Sequence, residues 1–128
     1  MEYYFSKTLN VSFDEALKLA INALKTEGFG VISEINIHEK LREKLGVDFK
    51  KYKILGACNP SYAYKALQAE DKIGTMLPCN ILVIEQEPRK IEIAAVNPIA
   101  SMQAISNPGL ADVANQVTGK LKNVIASL

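Results

Sequence analysis

The chain has 128 residues, 48% of them apolar and 23% charged, and its 15 basic and 14 acidic side chains leave a net charge of +1. That length supports one globular domain around one core, and balanced, interspersed charge gives no field to draw nucleic acid or an anionic membrane. The start Met1-Glu2-Tyr3-Tyr4-Phe5-Ser6-Lys7 lacks the basic-then-apolar order of a leader peptide, and no apolar run approaches a membrane span, so a cytoplasmic location is expected.

Tyr3 to Leu9 reads as a first strand, rich in aromatic, aliphatic and β-branched residues. Ser12-Phe13-Asp14-Glu15 is a capping box with Val11 placed to staple the entry, and Phe13, Leu17, Ala20, Ile21 and Leu24 then recur at helical spacing up to Gly28. A second strand runs from Phe29 to Ile35. A short helix follows it, with Asn36 and Glu39 as reciprocal caps, Leu41 and Leu45 as packing residues and Gly46 as terminator. Tyr52 to Cys58 is a third strand, after which Asn59 caps and Pro60 starts a helix carrying Ala63, Ala66 and Leu67. Cys79 to Gln86 and Lys90 to Val96 flank the short loop Glu87-Pro88-Arg89, an antiparallel hairpin. Asn97-Pro98 opens a short helix. Asn107-Pro108 opens a long one, with the stripe Leu110, Val113, Val117, Leu121, Val124 and Leu128.

Two triplets attract attention because they are near mirror images at strand ends: Cys58-Asn59-Pro60 closes one apolar run and Pro78-Cys79-Asn80 opens another. If the third and fourth strands are antiparallel neighbours, the two cysteines meet at one rim of the sheet. Cys58 then lies just before a helix N-terminus, whose free amides favour a thiolate. In a reducing compartment the stronger reading is of free thiols packed as small hydrophobes, since a Cys-x-x-Cys spacing is absent. His38, the lone histidine, is placed on a solvated first turn of the second helix. Together with Cys58 and Cys79 it would give zinc three ligands rather than four, so no metal site is expected. Gly28-Phe29-Gly30 lacks the dinucleotide fingerprint, and Asp14-Glu15 and Glu70-Asp71 read as solvated helix ends rather than acid–base pairs.

The fourth strand is apolar on both sides. Leu55, Ala57, Leu82, Ile84, Ala94 and Val96 are expected on a second sheet face, which two copies of the chain would cover by stacking about a two-fold axis.

Leu45-Gly46-Val47-Asp48-Phe49, Tyr52-Lys53-Ile54-Leu55-Gly56-Ala57-Cys58-Asn59-Pro60, Ala63 to Ala69 and Leu77-Pro78-Cys79-Asn80 resemble domain-of-unknown-function family 302. Ala94-Ala95-Val96-Asn97-Pro98 and Asn107-Pro108-Gly109-Leu110-Ala111 look like the same family, so that the resemblance covers nearly the whole chain. It implies an α+β domain of TATA-binding-protein-like topology, often dimeric and without a settled activity. It does not carry DNA binding with it. His38 departs from the family pattern.

The resulting expectation is an α+β domain with an antiparallel-rich sheet of about five strands, helices mainly on one face, and a homodimeric state. Its function is read as binding a small apolar or mixed ligand, with a cofactor such as haem among the candidates, near Cys58, Asn59, Pro60, Pro78, Cys79 and Asn80. Two other readings stand beside it: a thiol-dependent enzyme with Cys58 as nucleophile and Cys79 as its partner, and a purely structural or interaction protein.

Overall fold

A computed structural model describes residues 2–128; Met1, where the reading against a leader peptide begins, lies outside them. The strands are β1 (Tyr4–Leu9), β2 (Gly30–Asn36), β3 (Tyr52–Cys58), β4 (Cys79–Glu87) and β5 (Lys90–Val96). The helices are α1 (Phe13–Thr26), α2 (Ile37–Leu45), α3 (Pro60–Ala69), α4 (Pro98–Ser101) and α5 (Pro108–Ala126). A 3₁₀ helix at Asp71–Met76, for which the sequence pattern gave no sign, links α3 to β4 and buries Ile73 in the core. Among the described residues no helix is long and apolar enough to cross a membrane.

The fold is α+β, with all five strands in one antiparallel sheet of order β1-β5-β4-β3-β2. The first two strands in sequence are therefore the two edges, and α1 has to carry the chain across the whole sheet. Fourteen residues of helix rise about 21 Å, and four interstrand spacings come to about 19 Å. The helix is as long as the sheet is wide. Its Ser12 cap accepts from Glu15 N–H at 3.1 Å, and Ala16, Ala20 and Leu24 are its fully buried stripe. α5 packs beside α1, with Leu110, Val113, Val117, Leu121 and Val124 turned into the same core.

Register decides which strand residues meet these helices. Leu55 pairs with Ile81 and Ile81 with Ala95, so these residues share the helix-covered face with Ala57, Cys79, Val83, Ile91 and Ile93. On the other face Ile35, Ile54, Leu82 and Ala94 form one lateral row. The expected second face is corrected here: Leu82, Ile84, Ala94 and Val96 lie on it, whereas Leu55 and Ala57 belong to the core. Alternation within a strand fixes parity, but the pairing across strands fixes which parity faces in.

The asparagines before the helices tie segments together. Asn97 caps α4 through Ile99 N–H while its amide donates to Glu2 O at 2.9 Å. Asn107 caps α5 through Gly109 N–H and donates to Ala69 O at 2.7 Å, holding the start of α5 to the end of α3. Two expected caps differ. Asn59 makes no capping bond and instead donates to Glu27 O at 3.1 Å, fastening the start of α3 to the end of α1. Asn36 likewise caps nothing and reaches the Glu39 carboxylate at 3.4 Å. Nor does α2 pack as expected, since it has no buried residue and Leu45 is 70% exposed.

Asn107→Ala removes a cap and an interhelix bond together, so it should lower unfolding free energy by about 1–2 kcal/mol in urea titration. A loss below a few tenths would show that the tie between α3 and α5 carries no weight.

Candidate functional site

Antiparallel pairing of β3 with β4 puts Ala57 directly opposite Cys79, so Cys58 stands one register position away at the same end of the sheet. The strand before it is shaped to allow this. Ser33 and Pro78 both lie over Gly56, where a methyl group would come within 2.8 Å of Pro78 Cγ, so glycine lets the segment before β4 close down on β3. The Leu77–Pro78 bond there is cis. In β2, Val31 faces Ala57 and Ser33 faces Gly56, which leaves Ile32 as an extra, unpaired residue. Such a bulge re-aims its side chain. Ile32, 65% exposed, turns to the mouth of a cavity that begins at the two cysteines.

That cavity has a volume of about 270 Å³. Its floor is Ala57 and Cys79, its walls are α3 and α5, and Pro98 and Met102 close one side. The space exists because four facing positions, Ala57, Ala63, Ala66 and Ala114, carry alanine. Larger side chains there would meet and fill it. Ile32 and Leu67 leave an apolar rim in water, Leu67 being 45% exposed. Among the described residues Asn59 and Tyr62 alone bring side-chain nitrogen or oxygen to the lining; the Asn59 amide nitrogen donates to Glu27 O, and Tyr62 O–H donates to Gln116 Oε1 at 2.9 Å.

Of the six residues singled out in the two triplets, Cys58, Asn59, Pro78 and Cys79 line this cavity. Pro60 and Asn80 are exposed and do not; Asn80 pairs with Gly56 one position beyond Cys79, on the opposite face of β4. The sequence reading missed Ile32, Tyr62, Met102 and the α5 side chains Val113, Ala114 and Val117. Its one available signal was the run of alanines in α3, which was read simply as packing.

Burial pushes the Cys79 thiol up to about 11, with the neighbouring Cys58 adding to the effect. At neutral pH Cys79 is a neutral thiol. No acid, imidazole or amine lines the cavity among the described residues. His38 is at the other end of β3, where its Nδ1 accepts from Tyr52 N–H at 3.0 Å. It is half-buried rather than solvated as expected, and it fixes the start of β3 rather than serving the cysteines. Among the described residues no group of three or more His, Cys, Asp or Glu side chains is placed to hold a metal ion.

The family described as Domain of unknown function DUF302 matches residues 5–128, and the chain belongs to it. A similar solved structure is the uncharacterized conserved protein DUF302 from Bacillus stearothermophilus, 28% identical, with 98% of each chain covered and a TM-score of 0.89. No curated protein matches the chain.

Folding holds the proton on Cys79, so the associated stability is complete below pH 9.0, where the thiol stays protonated in the unfolded chain too, and is lost as pH rises toward about 11. Wild type should therefore lose about 2–3 kcal/mol more than Cys79→Ala between those limits. Parallel pH profiles of the two proteins in denaturant titration would contradict this.

Proposed function

We propose that this DUF302 chain is a binding module that holds a small, uncharged, apolar molecule in the cavity beneath Cys58 and Cys79. The observation that carries this reading is the wall: carbon and sulfur almost throughout, with its two polar side chains each donating a hydrogen bond elsewhere. Such a surface has little to offer a hard, oxygen-seeking ion or a sugar, and it gains from any apolar body that excludes water from it. An apolar cavity of about 150 Å³ accommodates benzene, so this one suits a ligand of roughly ten heavy atoms. Haem is too large for the space. The thiol-enzyme alternative has less support, because among the described residues no imidazole, carboxylate or amine lines the cavity to take a proton from Cys58.

We further infer a homodimer, stacked through the outer sheet face. Ile54 and Leu82 are only half-buried, Ile35 is exposed, and they sit side by side in one row with Ala94. A flat apolar row of this kind is a self-complementary surface for a two-fold stack. Two unbridged thiols suit a cytoplasmic location, and the balanced charge argues against nucleic acid as a partner.

Native mass spectrometry of protein purified from its own host tests the ligand. Wild type should retain a small molecule, and Ala63→Leu, which fills the cavity from α3, should lose it while remaining folded. A ligand held equally well by Ala63→Leu would place binding elsewhere.

Sedimentation tests the dimer. Ile84 is 7% exposed within one chain, so an aspartate there would unfold the protein and report nothing about association. Leu82→Asp is the better probe. Wild type should sediment as a dimer at micromolar concentration and Leu82→Asp as a folded monomer; a wild-type monomer refutes the stack.

A further inference from the structure

Three sulfur-bearing residues line the one cavity. Cys58 and Cys79 come from adjacent register positions of β3 and β4, and Met102 arrives from the end of α4. Among the described residues the rest of the lining holds no carboxylate or imidazole, and the Asn59 amide nitrogen and the Tyr62 hydroxyl each donate a hydrogen bond away from it. Two thiols and a thioether make a soft donor set. Calcium and magnesium require oxygen ligands, and zinc takes four ligands from thiolate, imidazole and carboxylate, so neither class is served. Soft thiolate and thioether donors instead select monovalent ions with a filled d shell.

We propose that Cys58, Cys79 and Met102 form a binding site for a soft monovalent cation of the copper(I) and silver(I) class. On binding, one cysteine releases its proton to solvent and forms a metal–sulfur bond. The second thiol and the Met102 thioether each donate a lone pair, and no electron changes hands. The charges then sum to zero, one cation against one thiolate. That balance matters because among the described residues no lysine or arginine lines the cavity to offset a second thiolate, and a buried unpaired charge is expensive. The spacing of the cysteines hid such a site, since twenty-one positions separate Cys58 from Cys79 in sequence and only the β3–β4 register brings them together. The inference rests on the cavity and not on the apolar ligand proposed for it.

The test is anaerobic titration of the reduced protein with copper(I) in competition with a chromophoric copper(I) chelator. Wild type should hold one ion per chain and release one proton per ion. Met102→Leu keeps nearly the same volume without the sulfur, and it should weaken binding tenfold or more. Cys58→Ser, at the half-buried rim, should abolish the one-to-one complex. The proposal falls if wild type yields all its copper to the chelator, if Met102→Leu binds as tightly as wild type, or if one ion is held by two chains. Retention of an apolar molecule is read separately by mass, so either reading can fail without the other.

Discussion

With Ala57 opposite Cys79 and Leu55 opposite Ile81, the β3–β4 register assigns every side chain of the two inner strands to a face. A slip of one residue in β4 against β3 would send Ile81 and Val83 to the outside and bring Leu82 and Ile84 in. Both sets are apolar, so hydrophobicity alone discriminates weakly between the two arrangements. Gly56 makes the difference. Ser33 and Pro78 close over it, and any other residue at that point of the pairing would hold the segments apart. The same register brings Cys58 and Cys79 to one rim, and the site therefore depends on the contact that also sets the core.

Above this rim the helices are held slightly apart rather than packed shut. α3 is fastened at both ends by asparagine amides, to Glu27 O by Asn59 and to the start of α5 by Asn107. Between those two ties its inward residues include Ala63 and Ala66, facing Ala57 on the sheet and Ala114 on α5. A helix pinned at its ends cannot settle into the gap left by four small side chains. The outcome is a cavity framed by two fixed helix ends, in keeping with the partial relaxation that small side chains leave behind.

The rim shows the same economy of means. One extra residue in β2 lifts Ile32 out of the ladder and points it to the mouth, where Leu67 stands as a second exposed apolar side chain. Neither contributes to the buried core. Both extend apolar surface outward from the cavity.

Much of this architecture was legible in the sequence because it is written locally. Helix starts are marked by Ser12 and the Asn-Pro pairs, the β4–β5 hairpin by Glu87-Pro88-Arg89, and the α5 stripe by its 3.6-residue period, all within a few residues of the feature they specify. The meeting of the two cysteines followed once β3 and β4 were taken as antiparallel neighbours. What lay beyond reach was whatever depends on contacts distant in sequence. Strand pairing, not alternation, put Leu55 and Ala57 inside. The carbonyl of Glu27, thirty-two positions away, drew the Asn59 amide from its cap, and the backbone of Tyr52 drew His38 in from solvent. The cavity is of the same kind: Cys58, Cys79, Ala114 and Met102 carry no common signal along the chain, and they become one surface only when α3 and α5 are laid on the sheet.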